Sequence, residues 1–349
     1  MRTVLESDAR RQAYYEKLAD LHLGPLWTVF RDLLTPTPRP RAVPYQWRWQ
    51  SIRPLLDEAV ALVSTEEAER RVLVLENPGL EGESAITQTL YAGIQIIAPG
   101  EVARAHRHTA NALRFILEGE GAFTAVGGER TIMHPGDFVV TPTWTWHDHG
   151  NQSQQSVIWL DGLDLPAALA LAAVFYEPYP EESQLPGRPE GDSRWRWAQG
   201  MRPAFESATS LYSPILNYPY AIARETLERL AATSPGSPYD GVIIQYINPL
   251  SGGPALPTID AYLQRIGPKS SLQAHRHSGS TVYCGVEGAG VIEIDGRPYA
   301  WEGHDVLVVP SWVPHRHLNP HNEPAILFSF TDTPLLRPFG LYREEAPES

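Results

Sequence analysis

The sequence predicts a mainly β protein built on two equivalent all-β sandwich or barrel domains, with a helical N-terminus and a partly helical linker between the domains. Three observations carry this reading. Short β-rich runs are punctuated at regular intervals, one half of the chain repeats the other, and helical apolar spacing is confined to the N-terminus and the middle. A chain of 349 residues is long enough for two domains with extra segments.

Taken in order, Arg10 to Leu23 carries Tyr14, Leu18 and Leu21 at helical spacing. Leu26 to Leu34 is a second short apolar stretch, stopped by the proline-rich TPTPRPRAVP, and Pro54 to Val63 is a third helical candidate. From Arg71 the pattern changes to VLVLEN, TLYAGIQIIA, LRFILEG, GAFTAV and FVVTP. Gly, Pro and Asn punctuate these runs roughly every 8 to 12 residues, the spacing of a sandwich or barrel. LDLPAALALAAVFY predicts a helix starting near Pro166, and residues 178–219 read as irregular and rich in Pro, Trp and Arg. YAIARETLERLAA predicts a further helix, and β-pattern resumes at Val242 and runs to about Phe330. The expected organisation is therefore an N-terminal helical segment (1–68), a first β-domain (69–165), a linker (166–240), a second β-domain (241–335) and a tail (336–349).

Composition narrows the function classes. Lys and Arg number 28 against 41 Asp and Glu, a formal charge of −13, which argues against nucleic acid or anionic membranes as partners. Hydrophobic residues make up 42% and charged residues 20%, a globular balance. A single cysteine, Cys284, rules out an intrachain disulfide framework, and in a β-run it reads as a small buried hydrophobe. No apolar run reaches the length of a membrane span, and MRTVLESDARRQAYYEKL lacks the apolar core of a signal peptide. A cytoplasmic protein is expected. The 32 prolines and 27 glycines suit a turn-rich chain.

The 12 histidines matter through their placement. AHRH at 105–108 matches AHRH at 274–277, and Glu118, Gly119 and Gly121 match Glu287, Gly288 and Gly290 at the same offset. PTWTWHDHGN at 142–151 matches PSWVPHRHLN at 310–319. Eight of the 12 histidines thus fall in two equivalent halves, so the domain is duplicated. Residues i and i+2 of a strand share a face, so His106 and His108 project together with Cα atoms roughly 6–7 Å apart. His147, from another strand, is the candidate third ligand. Three imidazoles on one face of an octahedral metal leave three positions open, as in the facial triad of non-haem Fe(II) oxygenases with histidine replacing the carboxylate.

These residues resemble the two cupin motifs. Gly100, His106, His108 and Gly119 fit G-x5-H-x-H-x3/4-E-x6-G, with Ala112 at the glutamate position. Gly136, Pro142, His147 and Asn151 fit G-x5-P-x-G-x2-H-x3-N, with Trp144 in place of the middle glycine. Loss of the glutamate, together with WTVFRDLLTP, RRVLVLENPGL, LYAGIQIIAPGEV, MHPGDFVVTPTWTWHDHGN and VIWLDGLDLP, resembles the gentisate and salicylate 1,2-dioxygenase family of bicupins. The resemblance covers most of the chain and is most specific in the first β-domain. It implies two double-stranded β-helix (jelly-roll) barrels and Fe(II), one per N-terminal cupin, held by His106, His108 and His147.

Further roles follow from the resemblance by position. Arg114 contacts the substrate carboxylate; its even spacing from His108 keeps it on the inner face of an unbroken strand. A guanidinium suits that task because it is permanently charged and binds bidentately. His149 is a histidine near the substrate and Asp161 the carboxylate that orients it, fixing its tautomer. Arg70 and Gln95 are additional pocket residues, or ordinary strand surface. Trp144 and Trp146 read either as walls of an aromatic pocket or as buried packing.

The implied activity is an extradiol-type cleavage of gentisate. A ring hydroxyl and its ortho carboxylate chelate the metal, dioxygen takes the remaining position, and the ring opens between the carboxyl-bearing and hydroxyl-bearing carbons. Both oxygen atoms enter the product, maleylpyruvate. The protein's part is to place metal, arene and O2 together. Salicylate, 5-substituted salicylates and 1-hydroxy-2-naphthoate are equally compatible with the sequence. A bicupin oxalate decarboxylase, with Mn and a glutamate ligand in both halves, is opposed by Ala112. A non-catalytic metal- or ligand-binding bicupin stays open. Family members are commonly homotetramers, and the Trp-rich QWRWQ and RWRW are candidates for such contacts.

In the second half His275, His277 and His315 reproduce the triad, so a second metal is chemically open there. The positions matching Arg114 and Asp161 are Tyr283 and Ser329, and the carboxylate handle is missing. That barrel is expected to be structural or partner-forming.

Overall fold

The structure is a computed structural model that describes residues 2–206 and 209–346. The last three residues of the expected tail lie outside these. The backbone divides after Arg39 into a short helical unit and a large β unit. The first unit consists of the helices Arg2–Asp20 and Leu26–Leu33. Trp27 Nε1 donates to Tyr15 Oη at 3.2 Å between them. None of the side chains of Leu26–Leu33 is buried.

The large unit contains two barrels, each of two antiparallel sheets. In the first barrel a six-stranded sheet runs in the order Asn217–Tyr218, Phe138–Thr141, Ala112–Glu118, Val157–Leu163, Tyr91–Ile97, Arg71–Val74. Its companion sheet runs Tyr176–Pro178, Val102–His108, His147–Asn151, Ala122–Val126, Glu129–Ile132. The second barrel repeats the plan. Tyr45–Trp47, Val306–Val309, Thr281–Glu287, Ala325–Thr331, Asp260–Ile266 and Val242–Gln245 form one sheet. Ser270–Ser271, His315–Asn319, Gly290–Ile294 and Arg297–Trp301 form the other.

The two six-stranded sheets pack back to back, and this explains why their strands read as continuous apolar runs. On Ala112–Glu118 the odd residues Leu113, Phe115 and Leu117 join one core cluster with Val282, Cys284, Phe328 and Phe330 of the second barrel. Phe115 and Phe328 stack with ring centroids 4.1 Å apart, worth about 0.5–1.5 kcal/mol beyond the area they bury. The even residues Ala112, Arg114 and Ile116 face the interior of their own barrel. Both faces are buried, so a simple apolar–polar alternation is absent. The repeated glycines have a steric cause. Gly119 has φ 78°, and a Cβ there would lie 2.2 Å from Ser156 O; Gly288 has φ 71°, with Pro324 O 2.9 Å away.

The stretch expected to be irregular is partly ordered. Tyr176–Pro178 pairs antiparallel with Val102–His108, and Asn217–Tyr218 pairs with Phe138–Thr141. Asp192–Trp197 is a helix whose Trp197 is buried, while Trp195 stays exposed. These short pairings carry little local pattern, because the partner strand supplies the order. QWRWQ likewise serves this chain itself. Tyr45–Trp47 pairs with Val306–Val309 of the second barrel, and Trp49 Nε1 donates to Glu118 Oε1 at 3.1 Å. The helix Trp49–Leu62 buries Ile52 and Leu56, and Tyr220–Ala231 buries Ala223 and Leu227. Among the described residues no helix is long and apolar enough to cross a membrane.

Candidate metal centre

Val102–His108 carries His106 and His108, and the neighbouring strand brings His147 opposite His106 in the antiparallel register. The ring centroids stand 4.2 Å (His106–His147), 4.8 Å (His108–His147) and 5.4 Å (His106–His108) apart. Candidate ligand atoms of the three lie within 4.8 Å of one another. Each ring is aimed by a carbonyl two residues away along the chain. His106 Nδ1 meets Arg104 O at 3.0 Å, His108 Nδ1 meets Ala110 O at 2.8 Å, and His147 Nδ1 meets Thr145 O at 2.9 Å. A carbonyl only accepts, so on His108 and His147 Nδ1 carries the proton and Nε2 presents its lone pair; His106 Nδ1 meets both that carbonyl and the Arg70 guanidinium, and its Nε2 faces the other two rings. The Nε2 atoms of His106 and His147 are buried without a partner. An orphaned buried polar atom costs about 1–3 kcal/mol, and a cation at the point of convergence removes that cost. Burial, then the Arg70 charge, pulls His106 down to about 3. Burial pulls His108 to about 4 and His147 well below its ordinary value. All three are neutral donors at pH 7, so the set fits a divalent metal.

The triad opens onto a cavity of about 300 Å³, at the small end of ligand sites. Arg70, Gln95, Arg114 and Asp161 supply its polar wall. Val72, Leu163, Leu165 and Val174 supply apolar surface, flanked by Tyr91 and Tyr176. Ala112 also lines the cavity, so the missing motif glutamate leaves free space beside the triad. Gly93 stands opposite Asp161 in the sheet register. A Cβ at Gly93 would lie 2.6 Å from Val72 Cγ1 and 2.8 Å from Tyr91 Oη, so the glycine lets both side chains take their places.

Arg114 and Asp161 are register partners on adjacent strands. Arg114 Nε lies 3.5 Å from Asp161 Oδ1, and its Nη1 donates to Thr141 Oγ1 at 2.6 Å. Trp159 Nε1 donates to Asp161 Oδ1 at 3.0 Å. Burial pushes Asp161 up, opposed by the charges of Arg114 and then Arg70. Arg70 Nη2 reaches His106 Nδ1 at 2.6 Å. Two guanidiniums and one carboxylate line the cavity, so its polar lining has an excess positive charge.

Two expectations need correction. Asp161 does not orient His149. The fully buried His149 places Nδ1 2.9 Å from Thr124 Oγ1, its register partner on Ala122–Val126. Asp161 lies on the other sheet, and the Trp159 indole, 5.6 Å from the His149 ring, takes the place expected for that histidine. His149 sits behind His147, with centroids 6.0 Å apart, and does not line the cavity. Trp144 does not line it either. Its ring and that of Trp146 each lie 4.4 Å from the Arg107 guanidinium, away from the triad. Trp144 has φ 56°, which explains why the motif favours glycine at this position. Sequence reasoning missed Tyr91 and Tyr176. Tyr176 arrives through the linker strand that pairs with the histidine strand, a long-range contact without a local signal.

The second triad is also assembled. His275, His277 and His315 have ring centroids 4.5, 5.0 and 5.4 Å apart. Tyr283 and Ser329 occupy the register pair that holds Arg114 and Asp161 in the first barrel.

Comparison with known proteins agrees with this architecture. The cupin domain model matches residues 93–162 and 262–331. Gentisate 1,2-dioxygenase 1 of Aquipseudomonas alcaligenes is 44% identical over 334 residues, 96% of each chain. The 5-aminosalicylate 1,2-dioxygenase of a Comamonas species is 38% identical, covering 96% of this chain and 90% of its own. Among solved structures, salicylate 1,2-dioxygenase of Pseudoaminobacter salicylatoxidans, with gentisate bound, superimposes with a TM-score of 0.91 at 32% identity, covering 97% of this chain and 94% of that one.

Proposed function

Because the chain belongs to the gentisate and salicylate 1,2-dioxygenase family, whose members are ring-cleaving bicupins, we propose that it is an Fe(II) enzyme that opens gentisate between its carboxyl-bearing and adjacent hydroxyl-bearing carbons. Both atoms of O2 enter the product, maleylpyruvate, in an extradiol-type cleavage. The observation that carries the reading is a triad of neutral histidines facing Arg114 across a cavity sized for one ring. Gentisate leads the substituted salicylates because its dioxygenase is 44% identical to this chain.

His106, His108 and His147 would hold the iron through Nε2. Bound Fe(II) supplies the redox path between an electron-rich ring and dioxygen. The remaining work belongs to the chain's own groups. Arg114, with Arg70 beside the triad, binds and orients the substrate carboxylate; the excess positive charge favours an anionic acid. Asp161 and Thr141 hold the Arg114 guanidinium in place. Val72, Leu163, Leu165 and Val174 exclude water around the ring. Gln95 and Tyr91 offer polar atoms to ring substituents.

The test is oxygen uptake by the full chain reconstituted anaerobically with Fe(II), against gentisate, salicylate, 5-aminosalicylate and 1-hydroxy-2-naphthoate. Gentisate should give the highest kcat/KM, with maleylpyruvate as product. No uptake with any of the four would overturn the reading. The family resemblance also leads us to infer a homotetramer, and exposed Leu26, Trp27, Phe30 and Leu33 offer apolar surface for it; sedimentation velocity measures the state.

A further inference from the structure

We propose that the second barrel holds a divalent metal of its own on His275, His277 and His315, with Asp240 as the fourth donor and the C-terminal tail packed behind His275. The three histidines are buried, with donor atoms within 4.8 Å of one another. Their Nδ1 atoms are taken by partners that turn Nε2 inward. His277 Nδ1 meets Gly279 O at 2.7 Å, His315 Nδ1 meets Val313 O at 3.2 Å, and His275 Nδ1 meets the Glu344 carboxylate at 3.0 Å. The buried Nε2 atoms of His275 and His315 have no hydrogen-bond partner. A carboxylate behind a ligating histidine raises its basicity and fixes its orientation. Glu344 takes that place here, whereas behind the first triad stand carbonyls and, at His106, the Arg70 guanidinium.

The fourth donor comes from outside the motifs. The position equivalent to the lost motif glutamate is Thr281, so a search along the histidine strand finds no carboxylate. Asp240 lies in the tight turn closed by Ser237 and Gly241. Its Oδ2 accepts from Ser237 Oγ at 3.0 Å, and its Oδ1 stands 3.9 Å from His275 Nε2. That separation is too long for a hydrogen bond, and the donor atoms that lie within 4.8 Å of one another are those of the three histidines without Asp240. Two donors on one tetrahedral Zn(II) stand roughly 3.3 Å apart, given metal–ligand distances of about 2.0–2.1 Å, so Asp240 joins the set by swinging its side chain toward the triad when the ion binds.

Two neighbouring segments cover His275. Tyr239 stacks on His275, with centroids 4.9 Å apart and planes 7° from parallel. The tail strand Glu344–Glu345 pairs with Arg276–His277, and Tyr342 Oη donates to Glu344 at 2.9 Å. Charge points the same way. Asp240 and Glu344 together match a 2+ ion, so this site needs no anionic substrate, whereas the first triad has no carboxylate among its donors or behind them. Four protein donors without an open position are the pattern of structural zinc. The metal would lock the tail onto the barrel.

The test measures metal, so it is independent of ring cleavage. The full chain is stripped with a chelator and titrated with Zn(II), and bound metal is counted by mass spectrometry. Wild type should bind two ions and His147→Ala one. In the His147→Ala background, Asp240→Asn and Glu344→Gln should each weaken the remaining site by about 10–100-fold, with circular dichroism unchanged, and Zn(II) should protect the tail from proteolysis. A His147→Ala chain that binds no Zn(II) overturns the proposal. So does one bound ion whose affinity neither Asp240→Asn nor Glu344→Gln alters. Because Asp240 lies in a surface turn, Asp240→Asn keeps the test open even where a variant of a buried histidine fails to fold.

Discussion

In the N-terminal barrel, the histidine triad looks across a cavity at Arg114 and Asp161; in the C-terminal barrel, the same register pair is Tyr283 and Ser329. The donor pattern is common to both, down to the carbonyl that aims the second and third histidines of each triad. On the proposed function, the histidines therefore do not decide which barrel receives an aromatic acid; the opposite wall does. One barrel pairs a neutral triad with an unbalanced guanidinium, and the other pairs a triad with its own carboxylates and a covering tail. Duplication kept the ligand strand, and the strands facing it diverged.

The strongest way to break this division is to remove one ligand from each barrel. His147→Ala should lower kcat/KM for ring cleavage by at least about 1,000-fold, the loss of about 4 kcal/mol of metal-dependent stabilisation. His315→Ala should lower the melting temperature and leave kcat/KM of the folded enzyme unchanged. Oxygen-uptake kinetics and thermal denaturation on both variants check this. A His315→Ala chain that is fully folded but inactive would mean that the second triad takes part in the reaction.

How much of this division was legible in the sequence depends on the range of the contact that makes it. His106 and His108 are legible because a strand has period two, and duplication marks their equivalents. Arg114 is legible through its even distance from His108 along an apolar run. The partners of these residues are set by register between strands, which no local pattern reveals. Thr124 reaches His149 and Trp159 separates it from Asp161 because of how Ala122–Val126, His147–Asn151 and Val157–Leu163 are placed. Tyr176, Asp240 and Glu344 come to their triads from the linker, a turn and the tail. Both faces of the central strands are buried, so β-structure was clear but the inward face was not.

A middle-sized effect sharpens the comparison at the wall itself. Arg114→Ala should reduce kcat/KM for carboxylate-bearing substrates by about 2–5 kcal/mol, the range for truncating one partner of a buried charge pair. Part of that loss is the Asp161 carboxylate left buried beside Trp159. Combining Arg114→Ala with Asp161→Asn separates the two contributions. Stability should recover in the double variant while kcat/KM stays low. Tyr283→Ala, the same position in the second barrel, should alter stability alone, because its ring packs between strands of that barrel's core. If Arg114→Ala left kcat/KM intact, the guanidinium would be a structural partner of Asp161.

The smallest expected effect tests the turn that both barrels share. Trp144 and Trp312 have φ 56° and 64°, and their backbone N–H groups donate to His108 O and His277 O at 2.8 and 2.7 Å. Each ring lies near an arginine, Arg107 at 4.4 Å and Arg276 at 5.0 Å. The backbone of this turn supports the ligand strand, and the indole covers a guanidinium, with Phe175 edge-on to Trp144 at 6.1 Å. Replacing either tryptophan with glycine relieves a left-handed conformation that costs about 1–2 kcal/mol. It also removes a cation–π contact worth about 0.5–1 kcal/mol at an exposed site and the apolar area around it. These contributions oppose each other, so Trp144→Gly and Trp312→Gly should each shift stability by less than about 1 kcal/mol in urea denaturation. Trp144→Gly should also leave kcat/KM within about twofold, since its ring faces away from the cavity. A tenfold fall at unchanged stability would place Trp144 in contact with the substrate and return the aromatic wall to the first barrel.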